Sequence, residues 1–183
     1  MYRDFDEPFF RDMCGRMDLP LKKPMKEFST GMKAKVKVLT ALSHKARFLI
    51  LDEPTAGLDV EARNEIIRFL KDYIAANDCS ILITSHISTD LEGLCDEFYL
   101  FSAGRILLHE TDENIGTRYG IVQIPFELFD SVDRKYVSGC RKETFGYVCI
   151  TNDREHFEKE HPEIKVKPAT IDDFILLFGG DEA

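Results

Sequence analysis

Two adjacent acids, Asp52 and Glu53, close the apolar run Phe48-Leu49-Ile50-Leu51. Successive side chains of an extended chain point to opposite sides. One acid can therefore hold Mg2+, usually through water, while the other points at an attacking water. His86 follows a second apolar run, Ser80-Ile81-Leu82-Ile83-Thr84. Ligands of open α/β sheets bind beyond the carboxyl ends of the strands, so parallel strands here would bring Asp52, Glu53 and His86 to one crevice. A third group is Ser29, Thr30 and Gly31, ahead of a helical pattern. The N–H groups and positive dipole end of a helix start suit a phosphate, and glycine lets the backbone approach closely. Each residue also has a plainer role. Acids end strands in turns, Ser29 or Thr30 is a natural N-cap, and Asp59 suits the N-cap of the next helix.

The elements that must position these residues follow from periodicity. Phe5, Phe9, Phe10, Met13 and Met17 recur at spacings near four, which predicts an amphipathic helix, broken off by Pro20 and Pro24. A helix is predicted over residues 29–44. Lys33, Lys37, Thr40 and His44 lie on one face, and Ala34, Val38, Ala41 and Leu42 on another. Unbroken apolar runs predict strands over 48–51 and 80–84, buried on both faces as in a parallel sheet. Residues 60–76 carry apolar positions at helical spacing, which completes a right-handed βαβ unit. A short helix over 89–95 and a hairpin of 97–101 with 105–108 follow. Beyond Asp112 short strands (120–124, 147–150, 164–166) mix with helices (153–160, 170–178). The fold class is therefore α/β with a small α+β appendage.

Composition narrows the partners. The 24 Lys+Arg are outnumbered by 33 Asp+Glu, a net charge of -9 that repels a phosphate backbone and argues against nucleic acid. The five cysteines form no C-x-x-C pair and read as reduced thiols. His109, His156 and His161 are scattered and read as solvated. The first residues, from Met1, show no apolar leader, and no apolar run approaches the ~20 residues that span a bilayer.

The wider strings are more specific. Leu49-Ile50-Leu51-Asp52-Glu53-Pro54-Thr55-Ala56-Gly57-Leu58-Asp59 resembles the Walker B motif and D-loop of ABC ATPases almost letter for letter. Phe28-Ser29-Thr30-Gly31-Met32-Lys33 resembles the family's LSGGQ signature, in a form similar to that of several bacterial exporter ATPases. Ile83-Thr84-Ser85-His86 resembles the switch-histidine loop. Order and spacing agree over about residues 5–110. The resemblance implies part of a P-loop NTPase sheet and part of the helical subdomain. By it, residues 1–46 end the helical subdomain, 47–111 run from Walker B to the switch histidine, and 112–183 form the appendage. It also implies roles: Asp52 for the metal, Glu53 as general base, His86 at the γ-phosphate, and Ser29, Thr30, Gly31 and Asp59 toward nucleotide across a dimer. The implied cofactors are ATP and Mg2+. The implied partners are a second ATPase subunit, head to tail, and a polytopic membrane subunit. The implied location is cytoplasmic, on the inner face of the cell membrane.

The departures are as informative. No G-x-x-x-x-G-K-[ST] string occurs, so the phosphate cradle and its lysine have no counterpart in these 183 residues. The adenine-stacking aromatic and the Q-loop glutamine have none either. The resemblance thus implies a C-terminal portion, whether a fragment, a truncated reading frame or one piece of a split protein, that is inactive alone. It also implies a missing neighbour for the 80–84 strand. Two other readings stay open: an inert module that pairs with an intact ABC ATPase, and a soluble ABC protein of translation or DNA repair.

Overall fold

The computed structural model describes residues 5–179, and the sequence-based expectations at Met1 to Asp4 lie outside them. The chain divides into two compact units after Leu94. The division places the 97–111 hairpin with the second unit, whereas the motif-based segmentation puts it with residues 47–111.

In the first unit, α1 (Glu7–Arg16) is capped by Asp6, which accepts from Phe9 N, with Pro8 in its first turn. Proline there costs no hydrogen bond, because the first N–H groups have no intrahelical acceptor. The helix α2 (Thr30–Leu42) is capped by Ser29 through Met32 N. Strand β1 (Phe48–Asp52) leads into α3 (Val60–Ala76), capped by Asp59 through Ala62 N, and then into β2 (Ser80–Thr84). The strands pair in parallel, with Asp52 beside Thr84. The expected βαβ unit is present, within a residue or two of its predicted bounds.

Helices α2 and α3 cover one face of the sheet. Val38, Leu42, Ile66 and Leu70 pack with Leu49 and Leu51 in one core cluster. A Lys35–Glu65 ion pair of 2.5 Å ties α2 to α3, and Tyr73 donates its hydroxyl to the Leu42 carbonyl at 3.1 Å. Met13, Cys14, Met17, Leu19, Phe28 and Leu39 form a second cluster, in which α1 meets α2.

The strands are not buried on both faces as their apolar runs predict. Burial in β1 alternates: Leu49 and Leu51 are covered, whereas Phe48 is 57 % and Ile50 66 % exposed. Leu82 of β2 is 48 % exposed on the same terms. The reason is physical: α2 and α3 supply cover for one face, and among the described residues of this unit no element covers the other. The predicted open edge on β2 is present too, since the described sheet holds β1 and β2 alone. The helix expected over 89–95 shrinks to α4 (Ser88–Leu91), because the chain turns at Gly93 with φ +61°.

The second unit opens with the antiparallel hairpin of β3 (Glu97–Ser102) and β4 (Arg105–Thr111), turned through Ala103 and Gly104 at positive φ. After α5 (Asp112–Thr117) comes a four-stranded antiparallel sheet in the order β6-β7-β5-β8. Its strands are β5 (Gly120–Ile124), β6 (Val137–Glu143), β7 (Gly146–Thr151) and β8 (Val166–Pro168). The helices α6 (Phe126–Phe129), α7 (Arg154–Glu160) and α8 (Ile171–Phe178) complete the unit. Thr170 and Asp173 form a reciprocal capping box on α8. The 164–166 strand is displaced to Val166–Pro168, because Ile164 turns into the core with Phe157, Val122 and Cys149.

Two expectations about side chains need correction here. The cysteines are not all reduced: Cys140 and Cys149 face each other across β6 and β7 and form a disulfide. Cys14, Cys79 and Cys95 are free, and burial raises their thiol pKa, that of Cys95 to about 11, which makes them poor nucleophiles. Nor are all the histidines simply solvated, although the His109 side chain is 51 % exposed. His109 stacks on Tyr99 at 4.2 Å, His156 lies on Tyr136 at 4.1 Å, and the side chain of His161 is only 17 % exposed.

The bare sheet face generates a prediction. Exposed apolar patches and open strand edges drive association. The chain is expected to self-associate reversibly, and the double variant Ile50→Lys, Leu82→Lys to sediment as a monomer at the same concentration. Equal sedimentation of the two proteins would show that this face is not the contact.

Candidate functional site

The parallel register brings the two strand ends level, and the candidate residues meet there. Thr84 Oγ1 donates to Asp52 Oδ1 at 2.6 Å. The Glu53 backbone N–H then reaches across to β2, donating to Thr84 Oγ1 at 3.0 Å and to the Thr84 carbonyl at 3.2 Å. The Thr84 hydroxyl thus serves as acceptor and donor at once, linking the backbone of one acid to the carboxylate of the other. The Glu53 carboxylate lies 2.8 Å from His86 Nδ1. Asp52 and Glu53, predicted from one feature of the sequence, and His86, from another, form one contiguous group.

Glu53 has φ +45°, in the left-handed region. A non-glycine residue there costs about 1–2 kcal/mol. The turn that follows is closed by Ala56 N to the Glu53 carbonyl and by Leu58 N to the Thr55 carbonyl, both at 3.2 Å. It passes through Gly57 at φ +71°. The strained carboxylate is therefore turned out of the strand direction and toward His86. The group stays wet: the side chains of Glu53 and His86 are 36 % and 66 % exposed.

Among the described residues, no three His, Cys, Asp or Glu side chains form a group able to hold a metal alone. Magnesium asks less of the protein, since one or two carboxylates suffice when phosphates and waters complete the shell. The hydrogen bond from Thr84 falls on Oδ1 of Asp52, which leaves Oδ2 for a cation or its waters.

Residues 29–31 are placed differently. Ser29 accepts from Met32 N at 3.1 Å as a plain N-cap, and Thr30 is the first residue of α2. A Cβ on Gly31 would lie 3.3 Å from Ala62 Cβ, so a larger residue there presses on α3. Asp59 accepts from Ala62 N at 2.8 Å. Among the described residues, no hydrogen bond or ion pair joins residues 29–31 to Asp52, Glu53 or His86. The turn that caps α2 and the turn that caps α3 are neighbours through Gly31 and Ala62.

Sequence reasoning missed the roles of three residues. Thr84 appears in a motif, but its bridging hydroxyl follows only from the Asp52–Thr84 register. Thr55 and Asp90 form a buried hydrogen bond of 2.5 Å across 35 positions, for which periodicity gives no signal.

The βαβ unit thus carries acids and a histidine at its strand ends, where ligands of open α/β sheets bind. Residues 4–89 match the family model described as "AAA domain, putative AbiEii toxin, Type IV TA system". The ABC transporter ATP-binding protein YtrB of Bacillus subtilis is 33% identical over 96 residues, which is 52% of this chain and 33% of that protein. The Nod factor export ATP-binding protein I of a Rhizobium species is 29% identical over 170 residues, 85% of this chain and 55% of that protein. Among solved structures, cbiO1 from Clostridium perfringens, part of the ABC transporter complex cbiONQ, superposes with a TM-score of 0.50 at 30% identity. The superposition covers 58% of this chain and 43% of that one. These relatives and neighbours are ATP-binding subunits of ABC transporters, and the chain is similar to part of them, with the α/β fold of that ATPase. It spans about a third of the length of YtrB.

The strain at Glu53 can be measured directly. Glycine adopts φ +45° without penalty, while the exposed Glu53–His86 contact contributes at most about 1 kcal/mol. Glu53→Gly is expected to leave stability to urea unchanged or raise it by about 1 kcal/mol, although it removes the carboxylate that meets His86. A loss above about 2 kcal/mol in denaturation would show that Glu53 is a structural residue rather than a strained functional one.

Proposed function

We propose that this chain supplies the hydrolytic half of an ATP site, and that the site powers transport through a separate membrane-embedded partner. The observation that carries the reading is the contiguous group of Asp52, Thr84, Glu53 and His86 at the ends of two parallel strands. In this reading Glu53 is the general base that orients the attacking water. His86, in contact with its carboxylate, reaches toward the γ-phosphate. Asp52 holds Mg2+ through Oδ2 or a water, and the ion, when bound, neutralises charge on the phosphates. Ser29, Thr30 and Gly31, at the start of a 13-residue helix, face the γ-phosphate of nucleotide held by a second ATPase subunit, with Asp59 beside them.

Phosphoryl transfer relies on positioning and charge neutralisation more than on covalent chemistry. These 183 residues contain no Walker A string. The carboxylates alone repel a polyanion, and the start of a helix contributes only about 0.3–1 kcal/mol at an exposed site. The chain by itself therefore neither holds ATP nor turns it over, and an intact homologous subunit completes one composite site: its phosphate loop against Ser29 and Gly31 of this chain. The names of relatives such as the Nod factor export protein favour export as the direction. No helix among the described residues is long and apolar enough to cross a membrane. That fits a peripheral subunit on the cytoplasmic face, bound through its membrane partner.

The test mixes the purified chain with an intact homologous subunit and follows phosphate release in Mg-ATP. Turnover attributable to the composite site is expected to fall on the order of 10²–10⁴-fold in Glu53→Gln, with nucleotide binding retained. Near-normal turnover by that variant would assign the base elsewhere. A second measurement, calorimetry with Mg-ATP, is expected to show no tight binding to the chain alone. Tight binding there would sink the composite-site reading.

A further inference from the structure

The chemistry proposed above uses no buried charge, yet the loops that carry it enclose one. Asp90 is 3 % exposed and Thr55 1 %. Thr55 Oγ1 donates to Asp90 Oδ2 at 2.5 Å. Arg63 Nε lies 3.7 Å from Asp90 Oδ1, and that nitrogen is buried without a hydrogen-bond partner. Burying a carboxylate is costly unless hydrogen bonds and an opposite charge compensate it. Folding alone needs neither at the start of a four-residue helix, where an alanine would pack without that cost.

The positions of these residues give the charge a task. Thr55 lies two residues after Glu53, in the turn that leaves β1. Asp90 lies four residues after His86, in the turn that leaves β2, and its N–H is itself fixed by the Ile87 carbonyl at 3.1 Å. The two turns are thus joined twice: at the strand ends by Glu53 and His86, and further out by Thr55 and Asp90. Arg63 joins the same turn to α3, its guanidinium reaching the Leu58 carbonyl at 3.5 Å.

We infer that Asp90 is a positioning residue, clamping the turn after β1 to the turn after β2 through Thr55 and Arg63, and so holding Glu53 against His86. This rests on the reading that Glu53 and His86 act together on ATP. Asp90 touches neither of them, nor any reacting atom, and acts through Thr55. The exposed Glu53–His86 contact is too weak to set its own geometry in water. A buried hydrogen bond to a charged group is stronger and is screened much less.

The experiment uses the full chain without nucleotide, so its outcome does not depend on the ATP reading. Amide hydrogen exchange and the His86 ring resonances are measured by NMR in Thr55→Val, Thr55→Ser and Glu53→Gln, with Leu70→Ala as a generally destabilised control. In Thr55→Val the amides of Ala56 and Leu58 are expected to exchange roughly tenfold or more faster, the loss of one hydrogen bond to a charged acceptor. The β1 and β2 amides should change far less. The His86 resonances should shift in the same direction as in Glu53→Gln. Thr55→Ser, which keeps the hydroxyl, should restore both signals, and Leu70→Ala should reproduce neither pattern. Should Thr55→Val fold poorly, Arg63→Gln is expected to give the same local signature in weaker form. Acceleration spread evenly over all amides, or unmoved His86 resonances with a loosened turn, would overturn the clamp. If the clamp holds while Glu53→Gln keeps full turnover with an intact subunit, the functional reading fails and the structural inference stands.

Discussion

The parallel register of β1 on β2 is the constraint on which the site depends. It sets Asp52 beside Thr84, so that one hydroxyl bonds both the carboxylate of one acid and the backbone of the next. A slip of one residue would turn every side chain of a strand to the opposite face. Leu49 and Leu51 would then leave the core, and Asp52 would leave Thr84. The packing that buries Leu49 and Leu51 against Leu42, Ile66 and Leu70 thus enforces the alignment of the chemical groups. Core and site are coupled through the two-residue period of the strand.

The grouping of Asp52, Glu53 and His86 was legible in the sequence because these residues follow local signals. Apolar runs end in Asp52 and at Thr84, caps stand at Ser29 and Asp59, and His86 closes the second run. Each signal is confined to a few neighbouring positions, and each element appears where its signal lies. What could not be read depends on pairing between distant residues. The strand β6 carries Cys140-Arg141-Lys142-Glu143, too polar to announce itself, and becomes a strand only by pairing with β7. The same pairing sets Cys140 against Cys149 and makes a disulfide that cysteine spacing does not predict. The short helices α5 and α6, of six and four residues, hold too few turns to show periodicity. The exposed faces of β1 and β2 illustrate the reverse case. Their apolar runs predict cover on both sides, and the described residues of the unit provide it on one.

Magnitudes decide which interactions hold the acid in place. The left-handed backbone at Glu53 costs about 1–2 kcal/mol. Its side-chain contact with His86 is well exposed, and such pairs contribute about 0–1 kcal/mol. That contact cannot be what keeps the residue in its strained conformation. The single N–H of Glu53, shared between the hydroxyl and the carbonyl of Thr84, contributes about 0.5–1.5 kcal/mol. The turn beyond is then fixed by the buried Thr55–Asp90 bond, where charge assistance roughly doubles the strength of a neutral pair.

This division between exposed and buried polar groups also explains which acids stay available. Asp52 and Glu53 remain in contact with water, where a carboxylate keeps its charge and can meet a cation or a water molecule. Asp90 is sealed away, its oxygens committed to Thr55 and facing Arg63. A buried carboxylate with fixed partners cannot exchange them for a ligand without leaving a charge unpaired. An exposed one can, because water fills each vacancy at little cost. Asp52, Glu53 and Asp90 therefore fall into two kinds by burial alone. The sheet and α3 decide which is which, since they fix how deep each turn sits beside the core of Leu58 and Ile66. Reactivity at the strand ends is in this sense set by packing: the same carboxylate chemistry binds, orients or braces according to how much water the surrounding side chains leave it.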